Sequence, residues 1–291
     1  MMKLQTSQRK YAKMKMALQG PSGSGKTYSS LLLAFGLCND WNKVAVIDTE
    51  HESAHLYADL GPYQVLSIYP PFTPDNYISA INFCEKAGME VIILDSTTHL
   101  WEYLLDYHSS LLGNSFTNWS KVNPMYNSFV QKLLQSPTHI IATIRKKQDY
   151  ILNQVNGKMV PEKIGLKTIQ RDSFDYEFTI VLDLDTKNFA SASKDRTGLF
   201  FDKAQQVIGI ATGQQIADWC NSGTPVTIED VSVKIAGARS IQNLLAIYQQ
   251  YPQFKKVLQN EYEGKKRDIM LQQPVQPEFN NHQILSSNGT H

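Results

Sequence analysis

Two hydrophobic patterns alternate along the chain from residue 14 to about residue 213. Short uninterrupted apolar runs predict strands over residues 14–19, 43–48, 65–68, 90–95, 139–144, 177–184 and 189–193. Apolar residues at three- and four-residue spacing predict helices over residues 26–37, 73–86, 98–111 and 123–134. Strands that alternate with helices favour an α/β fold, in which helices flank a mostly parallel central sheet.

The pattern changes on both sides of this region and predicts four parts of the chain. Residues 1–13 form a basic N-terminal arm, and residues 14–213 form the α/β core. A helix near residues 214–220 begins a helical C-terminal appendage over residues 214–271. The last stretch, residues 272–291, is rich in Gln, Asn and Pro and poor in apolar residues, which predicts a disordered tail.

Composition excludes several classes of protein. No apolar run approaches the roughly 20 residues that span a bilayer, and no apolar stretch follows the basic N-terminus as a secretory signal requires. The three cysteines are widely spaced and unpaired in sequence, which favours a reducing, cytoplasmic location over a disulfide scaffold or zinc ribbon. The net charge of +1 leaves nucleic-acid contact to local clusters of charge.

Residues 20–27 match the phosphate-binding pattern G-x-x-x-x-G-K-[ST], between a predicted strand and a predicted helix. Glycines let the backbone curl so that its N–H groups point at phosphate oxygens, and the helix N-terminus adds partial positive charge. We expect Lys26 to reach the β- and γ-phosphates and Thr27 to offer its hydroxyl to Mg²⁺. The predicted nucleotide-binding residues are Gly20, Pro21, Ser22, Gly23, Ser24, Gly25, Lys26, Thr27 and Tyr28.

Acidic residues end two further predicted strands. Asp95 ends the run VIILD and is expected to hold Mg²⁺ through a water molecule. Glu50 follows the run VAVID, and parallel strands deliver their carboxyl ends to one edge of a sheet. Glu50 is therefore the candidate base that polarises the attacking water, with Asp48 as its rival.

One motif near this edge predicts a different chemistry. His51, Glu52 and His55 match H-E-x-x-H, the zinc-protease pattern. That site needs a helix long enough to present both histidines, and Gly61 and Pro62 end any helix soon after. An ordinary strand-to-helix turn is the preferred interpretation.

With Lys26, Glu50 and Asp95 identified, the chain resembles the RecA-like ATPases of homologous recombination. The segments VAVIDTEH and VIILDS are similar to that family's catalytic-glutamate and Walker B strands. The segments IATIRKK, QRDSFDYEFTIVLDLD and SASKDRTGLF look closer to phage RecA-core ATPases, which are commonly described as phage nucleotide-binding or AAA-family ATPases and include single-strand annealing proteins. The resemblance covers about residues 10–211.

The resemblance implies a RecA-like P-loop fold that binds ATP and Mg²⁺, with Glu50 as the general base. It implies that strand 139–144 ends in a γ-phosphate sensor, at Thr143, where RecA has glutamine. Lys194 and Arg196 resemble a basic pair that reaches a neighbouring subunit's nucleotide, which implies self-association into a ring or filament. The implied setting is a bacterial host cytoplasm without a membrane, and a single-strand-binding protein or other phage replication protein is a further partner.

Two segments are candidates for contact with single-stranded DNA. Residues 145–171 carry seven basic and two acidic residues, a net charge of +5, and the RecA family places the equivalent loop along DNA. The DNA-contacting residues predicted in it are Arg145, Lys146, Lys147 and Lys158, near the turn signal Asn156-Gly157. The second segment, residues 113–119, is predicted to be a polar loop that carries Phe116 and Trp119.

Two functions remain open. The first is a DNA-stimulated, oligomeric ATPase that acts in phage-type recombination or annealing. The second is an ATP-switched scaffold or loader whose partner is another protein, with the C-terminal appendage as the docking element. A small-molecule kinase would need a lid and an acceptor pocket, and the sequence identifies neither.

Overall fold

A nine-stranded sheet forms the centre of the larger part of the chain. The computed structural model describes residues 13–155, 158–222 and 226–271, with the side chains of residues 149–164, 250 and 253 left out. The predicted arm (except Lys13), the predicted tail and the Asn156-Gly157 turn lie outside the described residues.

The strands and helices follow one another in an alternating order. The strands are β1 (Lys15–Gly20), β2 (Val44–Asp48), β3 (Gln64–Ser67), β4 (Val91–Asp95), β5 (His139–Val155), β6 (Lys158–Thr168), β7 (Ile180–Leu184), β8 (Phe189–Asp195) and β9 (Gln206–Val207). The helices are α1 (Lys26–Cys38), α2 (Pro74–Lys86), α3 (Thr98–Ser110), α4 (Ser115–Gln135), α5 (Ile210–Asn221), α6 (Ile228–Ala236), α7 (Ile241–Gln250) and α8 (Gln259–Leu271). Short 3₁₀ helices cover Trp41–Lys43, Ser53–Leu60, Phe174–Glu177 and Pro252–Phe254.

The sheet has the strand order β3-β2-β4-β5-β1-β7-β8-β9, and β6 pairs with β5 outside this path. All neighbours from β3 to β7 are parallel, whereas β8 and β9 pair antiparallel at one edge. The carboxyl ends of β1, β2 and β4 therefore meet at the same edge as Arg145, where the parallel part of β5 ends. The predicted α/β class with a mostly parallel sheet is confirmed.

Helices cover both faces of the sheet, which explains why its central strands are continuous apolar runs. Along β4, Ile92 and Leu94 pack into the core beneath α2, α3 and α4. Their neighbours Val91 and Ile93 pack into a second core on the side of α1 and α5. Successive strand residues point to opposite faces, so one buried strand supplies both cores.

Strand β5 is much longer than the sequence predicts. The prediction that it ends at Ile144 is wrong, because β5 continues to Val155 and pairs antiparallel with β6, a strand the pattern did not reveal. Within this hairpin the register runs from the pair Lys146 and Thr168 to the pair Val155 and Lys158. The hairpin extends the chain away from the parallel sheet, beyond the edge at which Gly20 of β1 pairs with Arg145.

Helix α4 begins eight residues before the predicted start at residue 123. The polar segment 113–119 is therefore mostly the first turns of α4, and the predicted loop is wrong. The side chain of Asn114 caps the helix by accepting the N–H of Phe116 at 2.8 Å, which stabilises a start that hydrophobic spacing does not mark.

The chain divides into two compact units at residues 224 and 225, whereas the predicted core ends at residue 213. Helix α5 belongs to the first unit because it packs closely on α1. A Cβ on Gly36 would lie 2.2 Å from the carbonyl oxygen of Ile210, and one on Gly213 would lie 2.4 Å from that of Leu33. Such an approach between two helices requires glycine at both positions.

The second unit contains α6, α7 and α8 around its own small core. Val231, Ile235, Leu244, Tyr262 and Ile269 are buried in it. Across the described residues of both units, no helix combines the length and the apolar character that crossing a membrane requires.

Candidate active site

The phosphate-binding loop connects β1 to α1, as the sequence predicts. Gly23 and Gly25 adopt left-handed backbone angles, with φ of +77° and +78°. A Cβ on Gly25 would lie 2.5 Å from Nδ2 of Asn188 in the turn between β7 and β8, so both the backbone angle and the space require glycine. The loop leads directly into the N-terminus of α1, whose free N–H groups favour an anion.

The ammonium group of Lys26 lies inside this loop. It donates hydrogen bonds to the carbonyl oxygens of Gly20 at 3.1 Å and Pro21 at 2.8 Å. Burial lowers the pKa of Lys26 below its usual value, and the Asp95 carboxylate opposes that shift. A half-buried cation whose hydrogen bonds go to carbonyl groups is well placed to bind phosphate oxygens, which are stronger acceptors.

A cleft of about 150 Å³ lies beside the loop and brings five of the nine predicted nucleotide-binding residues together with Glu50 and Asp95. Its lining is Ser22, Gly23, Gly25, Lys26, Thr27, Glu50, Ser53, Tyr57, Asp95 and Arg145. Ser53 and Tyr57 were missed because the sequence marks their segment only as a turn. The ring of Tyr57 packs 5.5 Å from that of the predicted Tyr28, through the contact of the Ser53–Leu60 helix with α1.

Asp95 ends β4 next to Asp48 of β2 and is almost fully buried. Its Oδ2 accepts the hydroxyl of Thr27 at 2.6 Å, and its Oδ1 accepts that of Thr143 at 2.5 Å. Burial raises the pKa of Asp95, while the two hydroxyl groups lower it. Thr27 and Asp95 thus juxtapose hard oxygen ligands of the kind that Mg²⁺ prefers.

The two candidate bases occupy different environments. Glu50 lines the cleft, whereas both oxygens of Asp48 accept backbone N–H groups, from Glu50 at 2.6 Å and from Ala54 at 2.9 Å. Burial raises the pKa of Asp48, and the hydrogen bond from Ala54 opposes that shift. Asp48 thus organises the turn that presents Glu50, which favours Glu50 as the base.

Neither Thr143 nor Arg145 lies where the sequence analysis places it. Thr143 is fully buried behind Asp95 and does not line the cleft. Arg145, predicted as a DNA contact, enters the cleft and forms a bidentate ion pair with Glu50. Its Nε donates to Oε1 of Glu50 at 2.8 Å, and its NH2 group donates to Oε2.

The predicted intersubunit cations lie at the amino ends of the parallel strands, opposite the phosphate-binding loop. Because β8 is antiparallel to β7, Lys194 and Asp195 pair with Val181 and Ile180 at the start of β7. The length of β7, about 13 Å at about 3.3 Å per residue, separates them from the carboxyl ends of the strands. Lys194 donates to the carbonyl oxygens of Asp175 at 3.0 Å and Tyr176 at 2.6 Å, whereas Arg196 is exposed.

Both predicted DNA-contacting segments border one open groove of about 1120 Å³, which we call the hairpin groove. Helices α3 and α4 form one wall, and the base of the β5–β6 hairpin with the segment after it forms the other. The aromatic residues in its lining are Trp101, Phe116 and Trp119, and the basic residues are Lys147, Lys167 and Arg171.

The groove's aromatic wall is preorganised. Trp119 stacks between Trp101 and His108, with ring centroids 6.1 and 4.2 Å apart, whereas Phe116 is 86% exposed. Of the remaining predicted contacts, Lys146 is paired with Asp183 at 2.8 Å, and the side chain of Lys158 lies outside the described residues.

The H-E-x-x-H segment does not form the helix that a zinc site needs. His51 and Glu52 both have positive φ angles, of 54° and 64°, before the Ser53–Leu60 3₁₀ helix begins. Glu52 accepts the hydroxyl of Tyr69 at 2.9 Å. The segment is a turn, and it delivers Ser53 and Tyr57 to the cleft.

Comparison with known proteins agrees with this architecture. A family model described as an AAA domain matches residues 12–215, which include the phosphate-binding loop, Glu50, Asp95 and the whole central sheet. A comparison with curated proteins gave no match. The match covers well over half of the chain, and the chain therefore belongs to the AAA-domain family of P-loop ATPases.

Proposed function

We propose that this protein is a Mg²⁺-dependent ATPase that is stimulated by single-stranded DNA and acts, as an oligomer, in phage-type recombination or annealing. The observation that carries the proposal is the hairpin groove, in which aromatic rings line one wall and cations line the other. Arg145, at the start of the same hairpin, reaches the nucleotide cleft.

The chemistry begins with binding of the triphosphate at the loop between β1 and α1. The loop N–H groups and Lys26 would hold the β- and γ-phosphates, and Thr27 and Asp95 would hold Mg²⁺. When bound there, the metal would supply positive charge that offsets the charge developing on the phosphate oxygens. Glu50 then accepts a proton from water as the water oxygen attacks the γ-phosphorus, and the bond from that phosphorus to the β,γ-bridging oxygen breaks.

The groove fits a single strand better than a duplex. Each base has a flat face that stacks on an aromatic side chain, at about 1–3 kcal/mol per base, and in a duplex those faces are already stacked. Phe116 is the exposed ring for such a contact, and it lies near Trp119, which stacks on Trp101. Lys147, Lys167 and Arg171 lie opposite, where they favour the phosphate backbone.

Self-association is part of the proposal because Lys194 and Arg196 lie at the edge of the sheet opposite their own phosphate site. In a head-to-tail assembly, that edge can face the nucleotide cleft of a neighbouring copy. Arg196 is the stronger candidate, since the ammonium of Lys194 already has backbone carbonyl partners.

A matched pair of double variants tests the DNA surface. Phe116→Ala/Lys147→Gln removes one exposed ring and one exposed cation from the groove, and Phe83→Ala/Lys86→Gln removes the same groups from α2. We expect the groove variant to weaken binding of fluorescent single-stranded DNA by about tenfold or more, and the α2 variant to bind like the wild type. Equal affinity of the two variants would contradict the assignment of the groove.

The C-terminal unit supports a second candidate, an ATP-switched scaffold or loader for a protein partner. Helices α7 and α8 border a groove of about 260 Å³ whose lining includes Ile241, Leu244, Leu245, Tyr248 and Tyr262. An ATPase rate that responds to a protein partner and ignores single-stranded DNA would favour this candidate.

A further inference from the structure

Arg145 lies at the junction between the central sheet and the β5–β6 hairpin. It is the last residue of β5 in register with β1, opposite Gly20 at the start of the phosphate-binding loop. The next residue, Lys146, already pairs with Thr168 of β6. A displacement of Arg145 therefore acts on the hairpin at its base.

The backbone of Arg145 is held from two directions. Its N–H donates to Oγ1 of Thr98 on α3 at 2.9 Å, and its carbonyl oxygen accepts the N–H of Ile169 at 2.8 Å. Thr98 starts the helix that forms one wall of the hairpin groove, and Ile169 lies in the lining of the other. Both walls of the groove are thus tied to this one residue.

The side chain of Arg145 shares the nucleotide cleft with one other cation and two carboxylates. Lys26 and Arg145 balance Glu50 and Asp95 in the cleft lining. The bidentate ion pair with Glu50 is partly shielded from solvent, with side-chain exposures of 39% for Arg145 and 18% for Glu50. Both carboxylate oxygens of Glu50 accept hydrogen bonds from the guanidinium of Arg145. In this arrangement neither oxygen is free to accept a proton from the attacking water.

A γ-phosphate introduces a stronger acceptor into this balanced cleft. Its oxygens carry more charge than a carboxylate and match the fork of a guanidinium equally well. A diphosphate brings no such group to the end of the cleft where Glu50 lies. The cleft thus contains a cation whose best partner depends on whether the nucleotide has two phosphates or three.

We propose that Arg145 exchanges Glu50 for the γ-phosphate when ATP binds, so that the exchange frees Glu50 to act as the base and shifts the base of the hairpin. The inference rests on the proposed ATPase function and names the residue that couples its two sites. Coupling between two ligands is reciprocal, so a strand bound at the hairpin that draws Arg145 from Glu50 also changes the preference for triphosphate.

Calorimetric titration without DNA tests the exchange, using Mg²⁺ with either ADP or a non-hydrolysable ATP analogue. Arg145→Gln should weaken binding of the analogue by about tenfold and change binding of ADP by no more than about twofold. The matched control is Lys132→Gln, which breaks a less exposed ion pair with Glu85, at 2.6 Å, between α4 and α2. It should leave the ratio of the two affinities unchanged.

Hydrogen exchange in the wild-type protein provides a second measurement that needs no variant. The amides of residues 145–148 and 166–169 should change their exchange rates with the ATP analogue and stay unchanged with ADP. The proposal is overturned if the two nucleotides give the same exchange pattern, or if Arg145→Gln weakens both nucleotides equally or neither. Neither measurement involves DNA, so a failure here is distinct from a failure of DNA to stimulate hydrolysis.

Discussion

The hydroxyl of Thr143 on β5 donates a 2.5 Å hydrogen bond to Oδ1 of Asp95 at the end of β4. Thr143 is fully buried and Asp95 is 2% exposed, so the contact is shielded from water. Since Thr27 occupies the other carboxylate oxygen, Thr143 fixes the orientation in which Asp95 meets Thr27. The residue that the family resemblance suggests as a γ-phosphate sensor is therefore placed to orient Asp95, the proposed metal ligand.

Replacing Thr143 with valine should weaken Mg²⁺ binding with little change in shape. The variant loses the hydroxyl that orients Asp95, and loss of such a partner typically costs about 10–100-fold in metal affinity or activity. The measurement is the Mg²⁺ concentration for half-maximal ATP hydrolysis. Thr143→Ser keeps the hydroxyl and should stay near the wild-type value, so equal behaviour of the two variants would refute this role.

Lys26→Ala and Glu50→Gln should separate nucleotide binding from hydrolysis. Lys26 contributes charge to the bound phosphates, so its loss should weaken ATP binding by about tenfold or more. Glu50→Gln should still bind ATP and lose about 10²–10⁴-fold in hydrolysis rate, because the amide cannot accept the proton from water. Normal hydrolysis by Glu50→Gln would instead assign the base to Asp48 or another acid.

Salt titration should identify Lys147 and Lys167 as phosphate contacts. Each lost contact reduces the slope of log affinity against log salt concentration by about 0.7 for a single strand, so the double glutamine variant should lose about 1.4. Lys146 is a weaker choice because its ion pair with Asp183, at 2.8 Å, is shorter and less exposed than the pair of Lys167 with Asp172, at 3.9 Å. An unchanged slope would exclude these two lysines, and Lys86→Gln on α2 serves as the control.

Mixing two inactive variants should restore part of the ATPase activity if Arg196 acts across a subunit interface. Glu50→Gln and Arg196→Ala should each be inactive alone, while mixed assemblies contain some interfaces with an intact Glu50 and an intact donated Arg196. Arg196→Ala is preferable to a Lys194 variant, which would also lose hydrogen bonds to the carbonyl groups of Asp175 and Tyr176. Mixtures that stay inactive after light scattering has verified co-assembly would place the action of Arg196 within its own subunit.

His139 should make the fold less stable in acid. Its Nδ1 accepts the N–H of Met14 at 3.1 Å, and burial, with smaller contributions from Lys13 and Lys15, lowers its pKa from 6.5 to about 3. Between those values the unfolded state binds a proton that the folded state does not, so stability falls as the pH falls from 6.5 towards 3.

The contribution of His139 is about 1.4 kcal/mol per pH unit in this window. His139→Asn retains an acceptor for Met14 without the titration, so its free energy of unfolding should depend less steeply on pH. The control is His55→Asn at an exposed position. Parallel pH profiles for wild type and His139→Asn would contradict this assignment.

The phosphate site could be predicted because its determinants are local. The loop pattern, and the strands that end at Asp48 and Asp95, lie in short segments whose apolar runs mark them as buried. Parallel strands then bring Glu50 and Asp95 to one edge without further information. The structure places Lys26, Thr27, Glu50 and Asp95 in one cleft.

Contacts between residues far apart in the chain could not be predicted from the sequence. Arg145 and Glu50 are 95 positions apart, and nothing near Arg145 distinguishes it from the lysines that follow. The hairpin was missed because residues 145–168 are dominated by polar and charged side chains, which obscure the alternation of a strand. Helix α5 was assigned to the appendage because the glycine contact between Gly36 and Gly213 leaves no periodic signal.

The most direct test of the central claim is the steady-state rate of phosphate release at saturating Mg²⁺ and ATP, with and without single-stranded DNA at low salt. The account predicts that DNA raises the rate of the wild type and of Phe83→Ala/Lys86→Gln, and raises it much less for Phe116→Ala/Lys147→Gln. A wild-type rate that is the same with and without DNA would contradict a DNA-stimulated ATPase and favour a protein partner.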